Sequence, residues 1–163
     1  MEHDAPAIFV ALEQSGLGAA IRQSVWLYPA ANVGHIVSLV VFAGAVAVMD
    51  VRLIGGLAAT APARVIGRAR SFAIAGFALM VVTGFMLFTA EASHLAVNPV
   101  FQLKVALIGA ALANLAIYEF GAKHAVAKLP AGVMMPARAK VAGMLSLGIW
   151  IAVAACGRSI AYF

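Results

Sequence analysis

Of 163 residues, 64% are hydrophobic and only 10% charged, with a mean hydropathy of +1.02. A soluble domain carries about a quarter charged residues, so the length suits one domain and the composition places it among membrane proteins. The net charge of +5 then reads first as a topology signal, because Lys and Arg collect in cytoplasmic connections, and nucleic-acid binding is disfavoured.

The start, Met1-Glu2-His3-Asp4, is acidic and does not look like the basic n-region and apolar core of a cleaved signal peptide. Residues 6–24 place Ile8, Phe9, Leu12, Leu17 and Ile21 among polar positions. That spacing suits an amphipathic helix lying along the membrane interface, with a break at Gly16 or Gly18. This N-terminal segment, residues 1–28, is either a surface anchor or a lid over an externally open site. Trp26 and Tyr28 close it where interfacial aromatics are expected.

Residues 29–163 are expected to form a four-helix transmembrane bundle, making the fold an all-α polytopic membrane protein. Four runs reach the roughly 20 residues that cross about 30 Å of hydrocarbon: about 29–49, 71–90, 99–119 and 141–159. Tyr28-Pro29 opens the first run, and Asp50-Val51-Arg52 closes it ahead of Gly55-Gly56. Asn98-Pro99 reads as an N-cap followed by proline at the first helical position, where its missing N–H costs nothing. Small residues at four-residue spacing, Ala30, Gly34 and Ser38 on the first helix and Gly109 and Ala113 on the third, predict close helix packing. Cys156 falls in an apolar run and reads as a small packing residue.

The basic residues of the connections gather on one side. Arg52, Arg64, Arg68 and Arg70 lie in the first, and Lys123, Lys128, Arg138 and Lys140 in the third, eight of the eleven basic residues. The second carries Glu91, and the N-terminal arm holds Glu2, Asp4 and Glu13 against Arg22. The positive-inside rule then places both termini outside a bacterial inner membrane.

Two ionisable residues fall inside the spans. His35 lies about six residues into the first and Lys104 about five into the third, each roughly 8–9 Å below the outer boundary at 1.5 Å per residue. Such residues mark sites that bind, protonate or pair by default. For His35 the readings are a neutral, hydrogen-bonded interior imidazole, an axial haem or metal ligand, and a proton relay. Lys104 either snorkels to the outer headgroups or turns inward to hold a carboxylate, haem propionate or other anion. His94, in the short external connection, is placed at the mouth of the same region.

At the cytoplasmic side, Asp50, Arg52 and Glu119 lie at helix ends and suit a structural ion network. Asn114 and Thr83 are neutral groups expected to hydrogen-bond between helices. Met80 and Met86 flank Thr83 on one face, a stripe suited to packing rather than to a soft-metal path. No HExxH, paired CxxC, phosphate-binding glycine loop or GxSxG occurs, and hydrolysis is disfavoured.

Several of these features recur together: Trp26-Leu27-Tyr28-Pro29, His35, Asp50-Val51-Arg52-Leu53-Ile54-Gly55, Thr83-Gly84, and Asn98-Pro99-Val100-Phe101-Gln102-Leu103-Lys104 followed by Asn114. In this the chain resembles, over nearly its whole length, an uncharacterised branch of small bacterial inner-membrane proteins with a four-helix core. More distantly, a histidine in the first span with a lysine in the third is similar to the copper-resistance membrane protein and membrane protoporphyrinogen oxidase families. The resemblance to the oxidase implies haem b binding at His35 and an auxiliary role for Lys104. His124 lies at the cytoplasmic end, too far to share a haem with His35, so a second axial ligand would come from His94 or a partner subunit.

The expected function is a cofactor-binding or redox-associated site in the outer half, around His35, Lys104 and His94. The alternatives are a non-catalytic accessory subunit of a larger membrane complex or homo-oligomer, and a metal or small-solute transporter. Transport is disfavoured by the lack of broken helices or an intramembrane carboxylate.

Overall fold

In the computed structural model, which describes residues 5–162, two short helices, α1 (Ala7–Gln14) and α2 (Gly16–Gln23), precede α3 (Leu27–Ile54) and α4 (Pro62–Ala90). The short α5 (Ala92–Val97), α6 (Pro99–Gly121), the short α7 (Lys123–Ala127) and α8 (Ala137–Ser159) follow, with a closing 3-10 turn at Ile160–Tyr162. The acidic Met1–Asp4, with the Glu2 and Asp4 counted in the N-terminal arm, lies outside the described residues. Helices α3, α4, α6 and the α8 segment are long and apolar enough to cross a membrane, and their backbone groups are satisfied internally, as hydrocarbon demands. The chain is an all-α, multi-pass membrane protein.

The helices overrun the hydrophobic runs. α3 continues past Met49 to Ile54, and α4 begins at Pro62, well ahead of residue 71. Hydropathy falls where charge appears, but Arg and Asp near a membrane boundary need not end a helix. What ends α3 is Gly55, at φ 123°, whose N–H bonds to the Val51 and Arg52 carbonyls. Asn98 caps α6 through bonds from the Val100 and Phe101 amides at 2.9 and 3.1 Å. The break between α1 and α2 falls at Ser15, not at a glycine. Its hydroxyl donates to the Leu12 carbonyl and accepts from the Gly18 amide, serving the end of one helix and the start of the next.

The bundle is an open ring. α3 packs most extensively on α4, α8 lies against α3, and α6 pairs with α8, whereas α4 and α6 scarcely touch. Among the described residues, the aromatic and ionic contacts between those two lie near their ends: Phe88 stacked on Phe101 at 5.4 Å, and the Arg70–Glu119 ion pair. Close approach is greatest between α3 and α4. A Cβ on Gly76 would lie 2.9 Å from the Phe42 backbone nitrogen, and one on Gly34 would lie 3.3 Å from Thr83 Cγ2. Ser38 is buried on the same seam. Gly109 and Ala113 face outward instead, with nothing near Gly109, so that pair does not pack within the bundle.

One end carries the basic connections, closed by a core of Leu53, Ile66, Tyr118, Val126 and Met135. The other is capped by α1, α2 and α5. Phe9 meets Phe88 edge-on at 5.8 Å. Arg22 donates to the Glu13 carbonyl at 2.7 Å and to the Ala90 carbonyl at 2.9 Å. The Glu13 carboxylate accepts from the Ser93 amide at 2.8 Å and from its hydroxyl.

Two outcomes follow from this packing. Gly76→Ala pushes a methyl group into the α3 backbone and is expected to lower stability by roughly 1–3 kcal/mol, measured as thermal unfolding in detergent. Gly109→Ala, in open space, is expected to leave it unchanged. The second outcome concerns the cap. Hydrogen bonds from the Ser93 side chain, then from its backbone, hold the Glu13 carboxyl below its ordinary value of 4.5, and Arg22 and His94 add to this. A folded pKa below the unfolded one means the contact is fully stabilising above about pH 4.5 and is lost as pH falls through the lower folded value. Amide exchange over residues 7–23 should therefore rise with acidification across that window. In Glu13→Gln it should already be raised at neutral pH and respond less to acid.

Candidate functional site

Toward the capped end, His35 projects from α3 onto α4, where Gly84 makes room for it: a Cβ there would lie 3.1 Å from the imidazole Cε1. The ring is half-buried, and its Nδ1 lies 3.0 Å from the Thr83 hydroxyl oxygen. That hydroxyl donates its one proton to the Leu79 carbonyl, 2.7 Å away in the same helix. With its proton given to Leu79 the hydroxyl accepts from His35, and the ring tautomer that matches this arrangement carries its hydrogen on Nδ1. In the neutral ring this leaves Nε2 as the unprotonated nitrogen with a free lone pair. The chain Leu79 carbonyl, Thr83, His35 orients the imidazole and sets its tautomer, as the partners behind a ligating histidine do in metal sites.

Lys104, on α6, is half-buried and within electrostatic reach of His35. Its ammonium leans against the last turn of α8, where a Cβ on Gly157 would lie 3.4 Å from Nζ, with Cys156 alongside. Among the described residues it makes no hydrogen bond. His35 and Lys104 thus occupy one region, spanned by α3, α4, α6 and α8.

His94 is not placed with them by any contact. It is exposed on α5 and its charge acts on Glu13, in the cap. The connection that carries it is folded into the short helix α5, which packs against α1 in the cap. Among the described residues, no group of three or more His, Cys, Asp or Glu side chains is arranged to hold a metal.

At the basic end, the expected network of Asp50, Arg52 and Glu119 is divided among three places. Glu119 binds Arg70 and, at 2.6 Å, Lys123. Arg52 is fully buried and its Nε donates to the Thr60 carbonyl at 3.2 Å, pinning the first basic connection. Asp50, 4% exposed, lines a cavity between the helices, and its Oδ2 has no hydrogen-bond partner among the described residues. Residues 50 and 52 are two apart on a continuous helix, so they face nearly opposite ways. Asn114 bridges α6 to α8, its amide donating to the Ala142 carbonyl at 2.9 Å.

Gly84 and Gly157, and Ser146 and Trp150 in the wall of the cavity that Asp50 lines, were not named as site residues from the sequence. Gly84 had a signal in the Thr83-Gly84 pair. The other three are ordinary residues of an apolar helix until the α8 rotation is known.

No curated protein and no solved structure shows a significant match to the chain. A family profile matches residues 9–163, a length that takes in most of the cap and all four long helices: the chain belongs to the family of unknown function DUF6644.

Proposed function

We propose that this is a small redox-associated protein of the bacterial inner membrane, with both termini outside, that binds a cofactor through His35 in the outer half of the bundle. What supports the reading is the 3.0 Å contact of His35 Nδ1 with the Thr83 hydroxyl, which suits the tautomer with hydrogen on Nδ1 and Nε2 free to act as a ligand. Haem b is the cofactor proposed. Its chemistry suits the donor set on one side: a neutral imidazole nitrogen for the iron and the Lys104 ammonium for a propionate.

Among the described residues, His35 is the one histidine placed to hold the iron. His94 lies on α5 in the cap and His124 on α7 at the basic end, so the second ligand is assigned to a partner chain or a second copy. Bound there, haem would supply one-electron transfer. His35 would fix its position, Thr83 would hold the imidazole in register, and Lys104 would neutralise a carboxylate in a medium where an unpaired charge is costly.

Protein purified from haem-replete cells should show a Soret band that His35→Ala abolishes. Thr83→Val should retain haem about 10–100-fold less tightly. A purified, folded wild-type protein without a chromophore would contradict the reading.

A second reading, an accessory subunit or homo-oligomer, is favoured by the outward-facing Gly109 and Ala113 on α6, small residues suited to a partner helix. Gentle extraction should then give a larger assembly that Gly109→Leu dissociates. A monomer under all such conditions would sink it.

A further inference from the structure

A cavity of about 280 Å³ lies between α3, α4, α6 and α8, away from His35 and toward the basic end. Its wall is apolar and aromatic except at a few points. Phe42, Phe77 and Trp150 form a cluster, with Phe42 5.5 Å from Phe77 and 4.6 Å edge-on from Trp150. Asp50 supplies a carboxylate, and Ser146 on α8 is its polar neighbour.

The charge in this wall is unbalanced. Arg70 on α4 also lines the cavity, but its guanidinium is engaged by Glu119 on α6. Tyr118 and Asn114 on α6 contribute no positive charge, and α8 offers only Ser146. Asp50 itself makes no ion pair among the described residues, and its Oδ2 is buried without a partner. A carboxylate in that position is costly unless protonated or met by a cation.

The cavity also has an approach from the side. Among the described residues, the aromatic and ionic contacts between α4 and α6 are Phe88–Phe101 near one end and Arg70–Glu119 near the other. Between the fastenings, Ile74, Leu112 and Leu115 line the cavity while remaining exposed at the bundle surface. The opening therefore faces lipid.

We propose that this cavity binds a small lipophilic organic cation entering from the bilayer, with Asp50 as counter-ion and Phe42, Phe77 and Trp150 as its aromatic wall. A quaternary or protonated amine with a compact apolar body satisfies all three features: the unpaired carboxylate, the ring faces that attract cations, and an entrance open to hydrocarbon. A lipid acyl chain would use the entrance and the rings but not Asp50. This site is independent of the His35 reading, and its carboxylate removes one ground for disfavouring transport.

The test uses full-length protein in nanodiscs of zwitterionic lipid, with benzyltrimethylammonium and its neutral isostere neopentylbenzene as probes. Trp150 fluorescence, read in a Trp26→Phe background, should report saturable binding of the cation. Asp50→Asn should weaken that binding about tenfold or more, and Asp50→Glu should retain it. Should Asp50→Asn fail to fold, the wild-type protein still decides. Labelling of Asp50 by dicyclohexylcarbodiimide, followed by mass spectrometry, should be slowed by the cation and not by neopentylbenzene. Equal binding of the two probes, displacement by long-chain alkanes alone, or labelling that the cation does not slow would each overturn the proposal.

Discussion

The close approach of α3 and α4 governs the rest of the molecule. Helices in hydrocarbon gain nothing from excluding water and associate through packing and hydrogen bonds. Here Gly34, Gly76 and Gly84 take the space that side chains would need. Gly76 brings the α3 backbone against α4, and Gly84 admits the His35 ring. With that spacing, Nδ1 meets the Thr83 hydroxyl, which accepts from the ring when its own proton goes to the Leu79 carbonyl. One packing constraint thus becomes a statement about which imidazole nitrogen carries the hydrogen.

The opposite side of the ring is looser by the same logic. α4 and α6 lack an intimate seam, and two fastenings substitute for it, an aromatic stack at the capped end and an ion pair at the basic end. Strong polar interactions gather at those ends. Glu13, Arg22 and Ser93 hold the cap, Glu119 collects Arg70 and Lys123, and Arg52 anchors the first basic connection. The exception is Asp50, whose carboxylate lies within the bundle and against the cavity.

Much of the architecture was legible in the sequence, because a bilayer demands long apolar runs and their ends carry devices such as Asn98-Pro99. The prominence of His35 and Lys104 was legible for a related reason: ionisable residues are rare in such runs. Their surroundings were not. Thr83 and His35 meet only once the rotation of α4 about its axis is known, and hydropathy carries little information on rotation in a helix that is apolar nearly all round. The placement of Asp50 was missed differently. The apolar run stops at Met49, so Asp50 read as a helix end, whereas Gly55 sets the actual end and leaves the carboxylate inside. Distance along the chain places His94 near the mouth of that region, and the sequence carries no signal for the short helix α5 on which it lies. The Gly109 and Ala113 spacing gave no indication of which face would be packed.

The central claim is that Thr83 fixes His35 as a neutral imidazole with hydrogen on Nδ1 and a free lone pair on Nε2. Nitrogen-15 NMR of histidine-labelled protein in lipid, with the His35 signals assigned by comparison with His35→Gln, reads this directly. At neutral pH, without added cofactor, the account predicts a protonated, pyrrole-type Nδ1 and a bare, pyridine-type Nε2 for His35, with the preference lost in Thr83→Val. Hydrogen on Nε2 with a bare Nδ1, or an imidazolium with both nitrogens protonated, would contradict it.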